Sequence, residues 1–377
     1  MTGNGFNIPS KKDGKPVPDY EDLADFNRYL DYDAEIIEEN ADEEDNKLRK
    51  MKIVGASFSP SCILYQMEPE TYRLAYLDYC SEKRDEFKST IWNEFPMPIA
   101  YSFYRAEHGY ENYNQRLDFL KDTWESLVAF IFAMVIGEYR CLGLSMEGTN
   151  IKMSHVLSDS LSAKLLVAEQ LLQKSKDDKY KLESSKIIPL DVIGNIRTLN
   201  QVRNGFSHQA AKSETQAASI FSDHFDEVFD ILQKLQGLKD VTLMRFFNAG
   251  SDALKPRFEI FTGHAMSRTI QEIPLTRELH TECINYLNND SILLKINYKI
   301  YDLKPFIYFV PDDTGHNIKL CFYKKKRGKE TDQQFIYEII RESKELTIGS
   351  LHFKQELEAI RKLLPDLSVR DGGPGRA

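Results

Sequence analysis

The chain has 377 residues, of which 42% are hydrophobic and 11% aromatic, and a formal net charge of −9. That length exceeds one ordinary domain of roughly 100–200 residues and suits two or three, with apolar content enough for a sizeable core without disulfides or structural metal. The negative charge argues mildly against a nucleic-acid-binding surface spread over the whole chain, because neutralising phosphates takes clustered Lys and Arg. A local basic cleft remains open.

The opening MTGNGFNIPSKKDGKPVPDYED has no positive segment followed by an apolar one, so it is not read as a secretory signal. The longest apolar run, Leu127 to Ile136, is about half of what a membrane span needs and reads as a buried helix in a soluble protein. Cys62, Cys80, Cys141, Cys283 and Cys321 are scattered, odd in number and without a C-x-x-C pair. They point to a reducing cytoplasm, with neither a disulfide framework nor a zinc site expected.

Residues 1–50 hold a Pro/Gly/Lys-rich lead-in and a dense acidic segment, read as a flexible arm or a solvated helix, or else as an arm that docks in a basic cleft. Residues 51–94 mix a strand-like opening, MKIVGASF, with helical material around ETYRLAYLDYCSEKRDEFKSTIW. FPMPIAYSF follows, and its two prolines are expected to make a rigid extended connector.

A strong amphipathic helix is predicted from Leu117, Leu120, Trp124, Leu127, Val128 and Ile131, fading near Gly143. A second covers Ser160 to Lys174. A third has Pro189 in its first turn, with Val192, Ile196, Leu199 and Val202 or Arg203 on one face, and a fourth runs Ser219 to Leu235. Together these make an all-α bundle over 95–245.

Beyond Gly250 the texture becomes β-branched and aromatic, in RFEIFTG, SILLKINYKIYD, KPFIYFVPDDTG and IKLCFYKKKRGK. A β-rich domain over 251–368 is expected, closing with helices in QFIYEIIRESKEL and LHFKQELEAIRKLL, and a tail at 369–377. The fold class is therefore α+β.

The residues that could carry chemistry are in QVRNGFSHQ. Arg203 and His208 are five positions apart, ~500° of a continuous helix, which leaves their side chains ~140° apart and unable to share a site. Asn204 and Gly205 supply a candidate break, with Gly205 as the residue that ends the helix and Phe206 anchoring the turn. Histidine can move a 2′-hydroxyl proton at neutral pH, and arginine can grip a phosphate through two hydrogen bonds.

Arg203-Asn204-Gly205-Phe206-Ser207-His208 resembles the R-x4-6-H motif of the HEPN superfamily, four- to five-helix bundles that include RNA-cleaving toxins and effectors of prokaryotic defence. The proline-led entry to a long apolar helix is similar to the start of such domains, and the resemblance covers about 95–245. It implies a metal-independent endoribonuclease acting on RNA as a homodimer, two motifs facing each other in a composite site, with 2′,3′-cyclic phosphate products and no cofactor. His208 would be the general acid/base, Arg203 the phosphate clamp and Asn204 an orienting hydrogen-bonder. An antitoxin or defence-complex partner is implied as well. Ala210 stands where the branch controlled by an adenylylating antitoxin has tyrosine, so that route of control is in doubt. The alternative is a HEPN-like scaffold that binds nucleotide, RNA or protein without catalysis.

His155 and His224 lie near or on bundle helices and read as surface or core residues. His108, His264, His280, His316 and His352 form no metal-binding spacing, and no phosphate-cradling glycine loop is present. YKKKRGK, with Lys324, Lys325, Lys326 and Arg327, reads as a solvated hairpin tip or as an RNA contact.

Overall fold

The computed structural model describes residues 11–12, 15–16, 26, 52–53, 56–57, 69–177, 181–207, 213–249, 252–265, 269–288, 290–312, 318–328, 333–342 and 344–365. Of these, 200–207 and those before Glu70, Phe26 apart, are described by backbone alone. It divides into two units, Met1–Ser89 and Thr90–Ala377.

In the first unit β1 (Lys11–Lys12) pairs with β2 (Lys15–Pro16), and β3 (Lys52–Ile53) with β4 (Ala56–Ser57), both antiparallel. Helix α1 (Pro69–Glu94) begins here and crosses the division. Phe26, from the acidic segment, is fully buried, with its ring 5.2–5.7 Å from those of Tyr72, Tyr76 and Tyr79. That part of the arm has a packed anchor.

In the second unit α2 (Met97–His108) starts directly after Pro96, so FPMPIAYSF is not the extended connector its two prolines suggest. Pro98 sits in the first helical turn, where its missing N–H has no intrahelical partner to lose. Helix α3 (Tyr113–Leu142) is the central element: the Asn112 side chain caps its start by accepting from Gln115 N, and Gly143, left-handed at φ 63°, ends it. Every residue from Leu127 to Tyr139 is buried in it, as the apolar run implies. The single turn α4 (Met153–Val156), α5 (Leu161–Asp177), the turn α6 (Ser184–Ile187), α7 (Leu190–Ser207) and α8 (Glu214–Lys234) complete the helices, with α2, α5 and α8 packed on α3. Helix α8 starts earlier than its apolar spacing indicates, because Ser213 and Gln216 form a capping box.

The strands begin within the range assigned to the bundle. β5 (Val241–Asn248) is central to a five-stranded antiparallel sheet in the order β7-β6-β5-β8-β9, with β6 (Arg257–Ile260), β7 (Thr269–Glu272), β8 (Ile292–Ile296) and β9 (Lys299–Asp302). Helix α9 (Arg277–Cys283) packs on its core through Leu279 and Cys283. A four-stranded antiparallel meander follows: β10 (Ile307–Pro311), β11 (Ile318–Arg327), β12 (Gln334–Ile339) and β13 (Lys344–Gly349). Helix α10 (Lys354–Leu363) closes the described chain.

QFIYEI and KELTIG are thus strands, where a helix is expected. Phe335, Ile336 and Tyr337 are consecutive and all buried, a strand covered on both faces, whose apolar run has no two-residue alternation to mark it.

Bundle and strands share one core. Phe132 of α3 meets Phe306 edge-on at 4.8 Å, and Gly137 lets α3 approach the end of β9 so closely that a Cβ there would stand 3.0 Å from Leu303 Cδ2 and 3.2 Å from the Asp302 carbonyl oxygen. Beside it the buried Glu138 carboxylate accepts from the N–H groups of Glu183 and Ser184 at 2.7 and 3.1 Å and from the Tyr301 hydroxyl at 3.1 Å. The acid pins α6 to α3 and β9. Among the described residues no helix is long and apolar enough to cross a membrane.

Candidate functional site

Helix α7 carries the Arg203 motif, and its course differs from the one its residues suggest. It stays helical through Ser207, so Asn204 and Gly205 do not end it. One glycine costs a helix only about 1 kcal/mol against alanine, and the buried Val192, Ile193, Ile196 and Leu199 hold the preceding turns against the bundle. On this helix Arg203 and Ser207 share a face, and no change of direction that would bring His208 back to Arg203 occurs through Ser207. The side chains of Arg203 and Asn204, and all of His208, lie outside the described residues.

The basic run is a strand, where a hairpin tip is one of the expected forms. Lys324 to Arg327 lie in β11, paired with β12 across a register shift between Tyr323 and Lys325. Lys324 is neutralised within the sheet: its ammonium stands 3.2 Å from carboxylate oxygens of both Glu338 and Glu345. Burial works against that charge, and the two glutamates hold it above its ordinary value. Lys326 and Arg327 are exposed.

Lys324 and Lys325 also line a cleft of about 660 Å³ between the bundle and the meander. Helices α2 and α3 contribute Tyr101, Arg105, Phe119 and Asp122; the start of α5 contributes Lys164; the turn after β12 contributes Arg341. Tyr101 is approached by two guanidinium groups. The Arg105 carbon Cζ is 4.0 Å from the Phe119 ring centre and 5.8 Å from that of Tyr101, and the Arg341 Cζ is 4.7 Å from Tyr101. Arg105 donates to the Tyr101 hydroxyl and the Gly109 carbonyl, each at 3.3 Å.

Arg341 is held in the left-handed region at φ 85°, unfavourable for any side chain but glycine. Its Nε is buried without a hydrogen-bond partner, and burial pulls its guanidinium below the ordinary value.

Two more groups in the cleft are shifted towards neutrality. Lys164 is 5% exposed and donates to the Tyr323 carbonyl at 3.1 Å, with no carboxylate in ion-pair range among the described residues; burial lowers its pKa to about 8. Asp122 is raised to about 7, first by burial and then by Glu125 one turn along α3. Shifts of this origin in a cleft, on one group of each sign, mark it as a candidate binding or proton-handling site. Among the described residues, no carboxylate pairs with Arg105, Lys164, Lys325 or Arg341 within 4.0 Å.

Sequence reading passes over these residues, although two leave a trace. Lys164 is on the apolar stripe of α5, three residues after Leu161 and one before Leu165. Asp118, Asp122 and Glu125 recur at four- and three-residue spacing on one face of α3, which places like charges together. Arg105 and Arg341 have no such signal, since their positions follow from how the meander docks. Among the described residues no group of three or more His, Cys, Asp or Glu could hold a metal ion. No protein family, curated protein or solved structure matches the chain.

Proposed function

We propose that this protein is a metal-independent endoribonuclease of HEPN type, a toxin or antiviral effector whose active site is completed by a second copy of the chain. What carries the reading is the place of the motif: Arg203 and Asn204 lie on a bundle helix flanked by α5 and α8, in the stretch described through Ser207. His208 takes the 2′-hydroxyl proton, Arg203 neutralises the phosphate in the transition state and Asn204 orients it. The nucleophile belongs to the RNA, so the chemistry needs no metal-bound water.

The test is cleavage of an RNA panel in EDTA by wild type, His208→Ala and Arg203→Ala, each first verified as folded and dimeric by light scattering. Wild type cleaves and both variants lose at least about a hundredfold in rate, the low end for a general acid/base or a transition-state charge partner. A strictly monomeric wild type, or variants that cleave like wild type, overturns the composite site.

A second reading, a scaffold that binds nucleotide, RNA or protein without catalysis, is favoured by one observation. Helix α7 continues through Ser207, so the break at Asn204 and Gly205 that would return His208 to Arg203 does not occur there.

A further inference from the structure

The cleft between bundle and meander holds more positive charge than its own carboxylates neutralise. Lys324 is matched by Glu338 and Glu345, and Glu125 by Lys121 at 3.8 Å. Arg105, Arg341, Lys164 and Lys325 remain without a carboxylate partner among the described residues, against Asp122 and Asp159. Two of the four are guanidinium groups that lie 5.8 and 4.7 Å from the Tyr101 ring centre, and one of those keeps an unpartnered buried Nε on a strained backbone. Among the described residues the fold's own contacts to that arginine are few, a long hydrogen bond at 3.5 Å to the Ala265 carbonyl and the Tyr101 ring, while glycine would relieve the φ and a shorter polar side chain would leave no buried donor unpaired.

We propose that this cleft binds a small organic phosphate, with its phosphate gripped by Arg105 and Arg341 and its organic body lying in the remaining space towards Lys164. Planar guanidinium groups suit phosphate oxygens in pairs, and Lys325 adds a third positive charge. A volume of about 660 Å³ far exceeds a bare phosphate and is in the range of ordinary small-molecule sites. Asp122 and Asp159 line the same cleft and accept hydrogen bonds from hydroxyl or amino groups of the organic body. The site is built from residues remote in sequence from Arg203 and His208, so it stands or falls independently of the ribonuclease reading.

Calorimetric titration of the full chain in metal-free buffer with ATP, ribose 5-phosphate and tripolyphosphate tests this, using wild type, Arg341→Gly and Arg105→Gln. Arg341→Gly keeps the backbone, because glycine adopts φ 85° without strain, and thermal unfolding confirms that each variant is folded. ATP or ribose 5-phosphate should bind at one site per chain, more tightly than tripolyphosphate, and each substitution should weaken binding about tenfold or more, as expected on losing a charge-assisted phosphate contact. ATP as the tighter of the two organic ligands identifies a nucleotide site, and ribose 5-phosphate a sugar-phosphate site. Tripolyphosphate binding as well as either, no binding by any probe, or affinities unchanged in both variants overturns the proposal. So does a 12-nucleotide oligodeoxynucleotide that outcompetes both organic ligands and loses affinity with the same substitutions, which would make the cleft a nucleic-acid groove.

Discussion

Two places where the bundle meets the strands bury charge, and they treat it in opposite ways. Behind α3, Arg140 and Asp302 face each other at 2.9 Å with side chains only 7% and 4% exposed, and Arg140 donates also to the Asp302 carbonyl. The Asp302 N–H is taken by the Cys141 sulfur at 3.3 Å, so the pair is closed on itself. Burial works against the Arg140 charge, and Asp302 more than offsets it, holding the guanidinium above its ordinary value. In the cleft Lys164 is as deeply buried and its ammonium's only hydrogen bond among the described residues is to a carbonyl oxygen, with Glu125, Asp159 and Glu338 acting on it from beyond ion-pair distance, while Asp122 faces other carboxylates. One end of the junction closes its charges on themselves, and the other sets four cations that lack an ion-pair partner among the described residues against Asp122 and Asp159, an arrangement that a bound anion would complete.

The largest effect that can break this comparison is at the closed pair. Asp302→Asn leaves a buried guanidinium without its counter-charge and should destabilise the fold by about 3–5 kcal/mol, read from urea unfolding at pH 7. A loss below about 1 kcal/mol would remove the distinction between the two sites.

Next is Lys164→Met, which should leave the protein as stable as wild type or up to about 2 kcal/mol more stable at pH 7, since the relief of a buried charge exceeds one lost hydrogen bond. The sign follows from the lowered pKa. Between about 8 and the ordinary 10.5 the unfolded chain binds more protons than the folded one, so wild-type stability rises with pH across that window and the advantage of Lys164→Met fades. A variant destabilised at pH 7 as strongly as Asp302→Asn would mean that Lys164 is a structural partner.

Asp122→Asn gives the smallest shift. The carboxyl titrates near 7 in the fold, so from the ordinary 3.8 up to that value the folded chain holds the extra proton, and stability falls as pH rises. Removing the charge should therefore stabilise by about 1 kcal/mol at pH 8, discounted for its partial exposure, and by nothing at pH 4. Lys121, Glu125, Asp118 and Glu338 act on the same carboxyl, so a gain that persists at pH 4 would point to packing instead.

The long helices are legible in the sequence because their period is carried by large residues: the stripe from Leu120 to Ile136 puts α3 in the core, and Phe221, Phe225, Val228 and Leu232 do the same for α8. What escapes is decided by tertiary packing. The two prolines of FPMPIA start a helix because they fall at its first turn, and Phe335 to Tyr337 form a strand buried on both faces, with Phe335 and Tyr337 against Phe353. The Arg203 motif is conspicuous as a string of residue types, yet the asparagine and glycine that suggest a break do not stop α7, since local preference is smaller than the burial that holds the helix. The cleft is nearly invisible in one dimension, because its arginines come from positions 105 and 341 and meet only when the meander docks on α2 and α3. Lys164 on an apolar stripe and Asp122 among like charges on one face of α3 are its traces.

The central claim, that the RNA attacks itself with help from His208, is tested most directly at the substrate. An oligoribonucleotide cleaved by the verified dimer in EDTA is resynthesised with a single 2′-deoxy sugar at the scissile nucleotide, and the two are compared side by side. The account predicts a 2′,3′-cyclic phosphate end on the first and no cleavage at that position of the second, because the nucleophile is gone. Equal cleavage of both, or an RNA panel left intact by wild-type dimer with and without its natural partner, contradicts it.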